Sequence, residues 1–285
     1  MAKFPTSTAT PESADAWAGR RHVFRELHAT GCFLIPNPWD VGSARVLARL
    51  GFPAVATTSA GFAWSLGRAD SRVTLEEALA HMSAVARAVD VPVNADFEGG
   101  FAVDPDGVAA NVSTAIGTGI AGISIEDCTG DAAQPLFDFT LAVERILAAR
   151  RAIDLSGLGV LLTARTEGFI VGRPDLDETI RRLAAFAEAG ADCLYAPGIR
   201  TRDEIGAVVR AVAPKPVNVL VGGDFTTVAE LTELGVRRIS VGSALARTAW
   251  TGFLDAAREI AERGTFGGLA RAVPFAELNG SFRQE

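Results

Sequence analysis

Lysine is nearly absent. The 285-residue chain carries it only at Lys3, near the N-terminus, and at Lys215, between two prolines. Chemistry that needs a pocket lysine, through a Schiff base or pyridoxal phosphate, has no candidate at either place. Histidine is scarce as well: His22, His28 and His81 all fall on helix-like segments. That argues against a Ser-His-Asp or Cys-His machine. The cysteines, Cys32, Cys128 and Cys193, are odd in number and far apart, with no zinc spacing and no disulfide framework. There is no basic run and the net charge is -7, so nucleic acid is not expected as a partner. No apolar stretch is long enough to span a bilayer, so no membrane role is expected, and residues 1–11 are rich in Thr, Ser and Pro with no apolar signal core. These absences lead us to expect a soluble, cytoplasmic protein acting on small molecules, with residues 1–10 a flexible tail.

What the chain does have is alternation. After an amphipathic helix over 11–29, apolar runs recur at 32–36, 54–58, 91–95, 122–125, 159–164, 193–196, 217–221 and 238–241. Helical patterns follow them at 42–50, 74–89, 105–118, 138–153, 175–189, 201–212, 226–234 and 243–263. Helix starts are marked by Thr74 with Glu77, by Pro105 and by Thr201 with Glu204. Gly51, Gly119, Gly190 and Gly235 end helices just before the next strand. Eight such units with no shift in composition predict a parallel sheet closed into a (β/α)8 TIM-type barrel, one domain over 1–285. A doubly wound open sheet is the alternative, but no dinucleotide glycine fingerprint follows the first strand, where the chain reads Pro36-Asn37-Pro38-Trp39-Asp40. A C-terminal helical tail over 264–285, with a stretch at 265–272 and then Pro274 and Phe275, is expected to dock on the barrel or to swap onto a neighbouring subunit.

A barrel builds its active site at the C-terminal ends of its strands. The third such end reads Val93-Asn94-Ala95-Asp96-Phe97-Glu98-Gly99-Gly100-Phe101. Residues i and i+2 point the same way from an extended backbone, so Asp96 and Glu98 are expected to project together. Glu126 ends the fourth strand. Three carboxylates brought together repel one another, and a bound Mg2+, or Mn2+ in its place, relieves the repulsion. Arg165 ends the fifth strand, where it could grip a substrate carboxylate or simply pair with Glu126 or Glu167. Ser59, Ala60 and Gly61 form a small-residue turn whose N–H groups could hold an anion. Trp39 after the first strand and Asn218 on the seventh complete the substrate candidates. Gly222-Gly223 and Gly242-Ser243 could bind phosphate, although a plain tight loop is the commoner use of such glycines. Cys128 has no neighbouring His or Lys to make it a thiolate and reads as a passive thiol.

Taken in order, these pieces resemble the isocitrate lyase/phosphoenolpyruvate mutase superfamily over nearly the whole chain. The matching stretches are Asn37-Pro38-Trp39-Asp40 with Ser43-Ala44-Arg45, Thr58-Ser59-Ala60-Gly61, and Asp70 after Arg68. They continue with Asp96-x-Glu98-x-Gly100-Phe101, Ile125-Glu126-Asp127, Thr163-Ala164-Arg165-Thr166-Glu167 and Val241-Gly242-Ser243. The resemblance implies a homo-oligomeric barrel, usually a tetramer, with its last helix exchanged. It implies Mg2+ held by Asp96, Glu98 and Glu126, partly through water, and a 2-oxo acid or enolate on the metal. Ser59, Ala60 and Gly61 would hold the substrate carboxylate, Arg165 another anionic end, and Asp70 would stand close by. The sequence departs from the pattern in two places. Glu98 stands where relatives commonly carry aspartate. The segment from Cys128 to Phe137 lacks the lysines and histidine of the lyase lid, and Cys128 comes too early to match the lid cysteine.

The function expected is a Mg2+-dependent lyase that breaks a C–C bond of a small 2-oxo or 2-hydroxy dicarboxylate through a metal-stabilised enolate. It would be oxaloacetate decarboxylase-like or methylisocitrate/dimethylmalate lyase-like, with Arg165, Asp70 and Glu126 as catalytic candidates. A C–P bond enzyme on a phosphonopyruvate-like acid, and a 2-oxo acid binding protein without turnover, are the alternatives.

Overall fold

The computed structural model describes residues 11–282, so expectations for 1–10 and 283–285 lie outside the described residues. The strands are β1 (Phe33–Ile35), β2 (Val55–Ala56), β3 (Val93–Asp96), β4 (Gly122–Glu126), β5 (Leu161–Arg165), β6 (Cys193–Tyr195), β7 (Val217–Leu220) and β8 (Arg238–Ser240). The helices are α1 (Pro11–Ala29), α2 (Val41–Arg49), α3 (Ser59–Ser65), α4 (Leu75–Ala88), α5 (Pro105–Ile116), α6 (Phe139–Ser156), α7 (Leu176–Glu188), α8 (Arg202–Val212), α9 (Val228–Glu233), α10 (Ala244–Arg263) and α11 (Phe275–Gly280).

All the ladders are parallel, and the strands follow one another in sequence order from β2 round to β8, which then pairs with β1. This is the (β/α)8 arrangement, and the open-sheet alternative falls away. The seam between β1 and β2 has no ladder. It is stitched instead by Ala56 N donating to Pro36 O at 3.0 Å and Asn37 Nδ2 donating to Thr57 O at 3.0 Å. Capping works as the sequence suggests. Thr74 and Glu77 bond reciprocally at the start of α4, and Thr201 and Glu204 do the same at α8. The main core lies between sheet and helices, where Ile123, Ile125 and Leu162 join Val108, Val112, Ile146 and Phe186.

Helix α1 closes the floor of the barrel. Phe24 is fully buried in one cluster with Phe33, Ile35, Ala121, Leu161 and Cys193. A Cβ on Gly122 would stand 2.5 Å from the Phe24 ring, so this strand position must stay side-chain-free. Arg21 fastens the same helix, its Nε donating to Ile120 O at 2.9 Å.

Two elements differ from expectation. Residues 59–65 form a helix rather than a turn alone, because the Thr58 hydroxyl caps it by accepting from Gly61 N at 3.3 Å. In the tail, the stretch expected to be helical over 265–272 is a 3-10 turn at Gly267–Arg271, followed by α11. The turn is held by Glu259 of α10, which accepts from Gly267 N at 2.9 Å and Gly268 N at 2.6 Å. The Phe282 ring comes back to Gly42 at the start of α2. Trp250, Phe253 and Leu254 on α10, with Phe266 and Phe275 beyond it, nevertheless remain exposed.

Candidate active site

Strand ends β2 to β5 deliver the predicted side chains to one mouth. Asp96 ends β3, Glu126 ends β4 and Arg165 ends β5; Glu126 is in register with Arg165 and Asp96 with Ser124. The Arg165 guanidinium is the hub. Nη1 lies 3.2 Å from Glu126 Oε2 and 3.5 Å from Asp96 Oδ1, while Nε donates to Glu167 Oε1. Among the described residues Nη2 makes no hydrogen bond. Arg165 also lies 5.2 Å from the ring centre of Tyr195, the chain's one tyrosine.

Asp96 is aimed by its neighbours. Thr57 Oγ1 accepts from its backbone N at 2.8 Å, and Ser59 N donates to its Oδ2 at 2.9 Å. Ser59, Ala60 and Gly61 therefore sit beside the carboxylates, but the Ser59 N–H is turned to Asp96 and the Gly61 N–H to Thr58 Oγ1. Gly61 is demanded by packing, since a Cβ there would stand 2.8 Å from Trp39 Cβ and from Thr58 Cγ2.

Glu98 reaches the site by a route the extended-strand argument does not describe. The strand ends at Asp96, and Glu98 has left-handed backbone, with φ +47°. Gly100 and Phe101 follow at φ +76° and +55°. Non-glycine residues in this region cost about 1–3 kcal/mol each and persist where their surroundings fix them. Glu98 still shares a cavity with Asp96, which Thr57, Ser59, Phe62 and His81 also line.

Charge at the mouth is unbalanced. Burial raises the Glu98 carboxyl to about 7, with Asp96 and Asp70 adding to the rise. Burial also raises Glu126 well above the carboxylate range and raises Glu167, with Arg165 opposing both shifts. Asp70 lies on the exposed rim, where desolvation and then Asp96 raise it; the Ser71 N–H, donating to its Oδ1 at 2.9 Å, works the other way. Burial opposes the Arg165 charge, but Glu167, Glu126, Tyr195 and Asp96 outweigh it and hold the guanidinium above its ordinary range. Five carboxyl groups thus face one cation.

That donor set suits a hard divalent cation in one particular way. No three of these side chains close a ready-made cage among the described residues. Mg2+ ordinarily takes one or two carboxylates and keeps several waters. A metal held by Asp96, Glu98 and Glu126 would therefore have to be completed by water.

Other predicted residues fall elsewhere. Asn218 is buried below the mouth with both ends of its amide engaged: Nδ2 donates to Ser240 Oγ at 2.9 Å, and Oδ1 accepts from Arg238 Nε at 2.9 Å. Trp39 lines a groove with Ser65, Trp250 and Phe253, against α10. Asp127 points away from Glu126 and acts as a strut, accepting from Thr166 Oγ1 at 2.8 Å, Glu167 N at 2.9 Å and Arg182 Nη1 at 3.1 Å. The segment after Glu126 is a closed loop, with Thr129 N donating to Pro135 O at 3.0 Å and Phe137 N to Asp127 O at 2.9 Å. Burial raises the Cys128 thiol, as a passive thiol requires.

His81 is the residue that sequence reasoning set aside. It stacks on Phe62 at 3.9 Å, and its buried Nε2 has no partner. Burial pushes its pKa down to about 4, so the ring is neutral. A signal was available: His81 falls on the inward stripe of α4 with Ala78, Met82 and Val85.

Strand ends that gather a guanidinium and a ring of carboxyl groups at one mouth put the candidate site where barrel enzymes carry their chemistry. The chain belongs to the phosphoenolpyruvate phosphomutase family, whose model matches residues 24–261, and with it to the lyases and mutases of the PEP mutase/isocitrate lyase superfamily. A crystal structure from Burkholderia cenocepacia J2315, whose lyase/mutase assignment is itself provisional, is similar at 48% identity with a TM-score of 0.92, covering 94% of this chain and 98% of that one. The oxaloacetate decarboxylase of Rhodopseudomonas palustris is 31% identical over 69% of each chain. A 2,3-dimethylmalate lyase structure is 27% identical, with a TM-score of 0.81 and coverage of 93% and 94%.

Proposed function

We propose that this protein is a Mg2+-dependent lyase that breaks a C–C bond of a small 2-oxo or 2-hydroxy dicarboxylate through an enolate, of the oxaloacetate decarboxylase or dimethylmalate lyase kind. The observation that carries the reading is the surplus of carboxyl groups around Arg165, whose Nη2 makes no hydrogen bond among the described residues. Asp96, Glu98 and Glu126 would hold the metal, which supplies a Lewis acid for the oxyanion that develops as the bond breaks. Arg165 binds a substrate carboxylate through Nη2, while Glu167 and Glu126 keep its plane fixed. Thr57 and Ser59 aim Asp96, and Asp70 guards the rim. In a decarboxylation the bonding pair left by departing CO2 passes into the 2-oxo group, leaving an enolate that takes a proton to give the 2-oxo monoacid. The Arg165 guanidinium would stabilise that charge where it develops.

A second reading, a 2-oxo acid binding protein without turnover, is supported by the closed 128–137 loop, which offers no lid acid. The test is pyruvate release with Mg2+ and with chelator, from oxaloacetate, methylisocitrate, dimethylmalate and phosphonopyruvate. Mg2+-dependent turnover of a C–C substrate is expected. Ligand binding without turnover of any of them would favour the binding protein, and turnover of phosphonopyruvate alone would favour C–P cleavage. As part of the same reading we propose a cytoplasmic homo-oligomer. The exposed apolar residues of α10 and the tail support the assembly, which light scattering on the purified chain checks.

A further inference from the structure

Arg145 is an anomaly in the core. It is 1% exposed on α6, yet it makes no ion pair among the described residues. Burying an unpaired guanidinium is costly, and burial pulls its pKa down to about 10. Its partners are backbone carbonyls of one turn. Nη1 donates to Ala102 O at 2.5 Å and Val103 O at 2.6 Å, and Nη2 donates to Gly99 O. The guanidinium also sits 4.0 Å over the ring of Phe137, at the end of the loop that follows Glu126.

The turn it grips is the strained one. Glu98, Gly100 and Phe101 all have positive φ. Asn111 takes the carbonyls between those of Arg145, its Nδ2 donating to Gly100 O at 2.9 Å and Phe101 O at 3.3 Å. Four successive carbonyls, Gly99 to Ala102, and Val103 after them, are thus held from α5 and α6. The space is filled as well, because a Cβ on Gly99 would stand 3.3 Å from Arg145 Nη2 and 3.4 Å from Cys128 O.

We propose that Arg145 is a positioning residue for Glu98: by capturing the carbonyls of Gly99, Ala102 and Val103, it keeps the 98–103 turn left-handed and fixes the Glu98 carboxylate at the mouth beside Asp96. The consequence for metal rests on the function proposed above; the grip on the turn does not. Outer partners of metal-site residues are commonly worth about 10–100-fold in affinity. A side chain acting through Glu98 has nothing left to contribute once the Glu98 charge is removed.

The experiment measures Mn2+ affinity by calorimetry in the wild type, Arg145→Lys, Glu98→Gln and the double variant, with amide exchange of residues 98–103 in each. A lysine keeps the charge but cannot span three carbonyls. Arg145→Lys is expected to weaken Mn2+ about tenfold and to speed exchange in the turn, with the double variant no weaker than Glu98→Gln. If Arg145→Lys does not fold, Asn111→Ala loosens the same turn and takes its place in the cycle. Additive losses, or an unchanged affinity with unchanged exchange, overturn the proposal. If the wild type binds no Mn2+, the metal reading fails, and exchange alone decides: faster exchange upholds the grip and unchanged exchange refutes it.

Discussion

The two ends of this barrel solve opposite electrostatic problems. At the floor, one buried cation, Arg238, is satisfied by neutral groups: Nε donates to Asn218 Oδ1 at 2.9 Å, and Nη1 meets His28 Nε2 at 3.3 Å. His28 in turn contacts Phe24 O through Nδ1 at 2.7 Å, and burial and then Arg238 push its pKa down to about 3. At the mouth, one cation faces five carboxyl groups, and burial raises Glu98, Glu126, Glu167 and Asp70 instead of letting them ionise freely. At the floor, the needs of Arg238 are met by those neutral partners. The mouth carries an electrostatic cost that a bound cation and an organised ligand can relieve. Such locally unfavourable arrangements mark functional sites.

That contrast can be broken from either end. The largest effect is expected at the mouth: Asp96→Ala should lower Mg2+-dependent pyruvate release roughly 10^2–10^3-fold, with the far-UV and near-UV circular dichroism unchanged. Next comes the floor. Arg238→Met leaves Asn218 Oδ1 and His28 Nε2 without their donor, and should cost about 2–4 kcal/mol in urea unfolding while Mn2+ affinity is kept. A smaller effect of opposite sign is expected from Glu98→Gln in metal-free protein. The folded Glu98 carboxyl titrates near 7, above its unfolded value of 4.5, so its cost begins above pH 4.5 and is complete above about 7. The variant should be more stable than wild type by about 1–2 kcal/mol at pH 8 and equal to it at pH 4. The floor also has its own acid response. His28 is depressed from 6.5 to about 3, so its neutral form contributes stability above pH 6.5 that is lost progressively as pH falls toward 3. His28→Asn should flatten that part of the stability profile, measured by thermal unfolding between pH 7 and 4.

The barrel was legible because its signals are local: apolar runs, capping residues and glycines at helix ends recur in every unit. The mouth was legible at strand ends, where Asp96, Glu126 and Arg165 follow directly from the fold. Glu98 was found by an argument of period two that its left-handed backbone does not obey; the acidic residue is there, but Arg145 and Asn111 hold it. His81 and Arg145 were missed for one reason. Each lies on a helix, and only packing brings it against a strand-end loop distant in sequence. Asn218 sits on the right strand one layer too deep, a distinction that alternation along a short strand cannot make. Residues 59–61 read as a turn alone because the helix they begin has too few positions to display its period.

The claim that the mouth is built for a cation and an acid together is tested most directly by titrating Mn2+ into the protein in the presence and absence of oxalate. Oxalate is expected to tighten Mn2+ binding, Mn2+ to tighten oxalate by the same factor, and Asp96→Ala to abolish both. Equal Mn2+ affinity in the wild type and Asp96→Ala would contradict it.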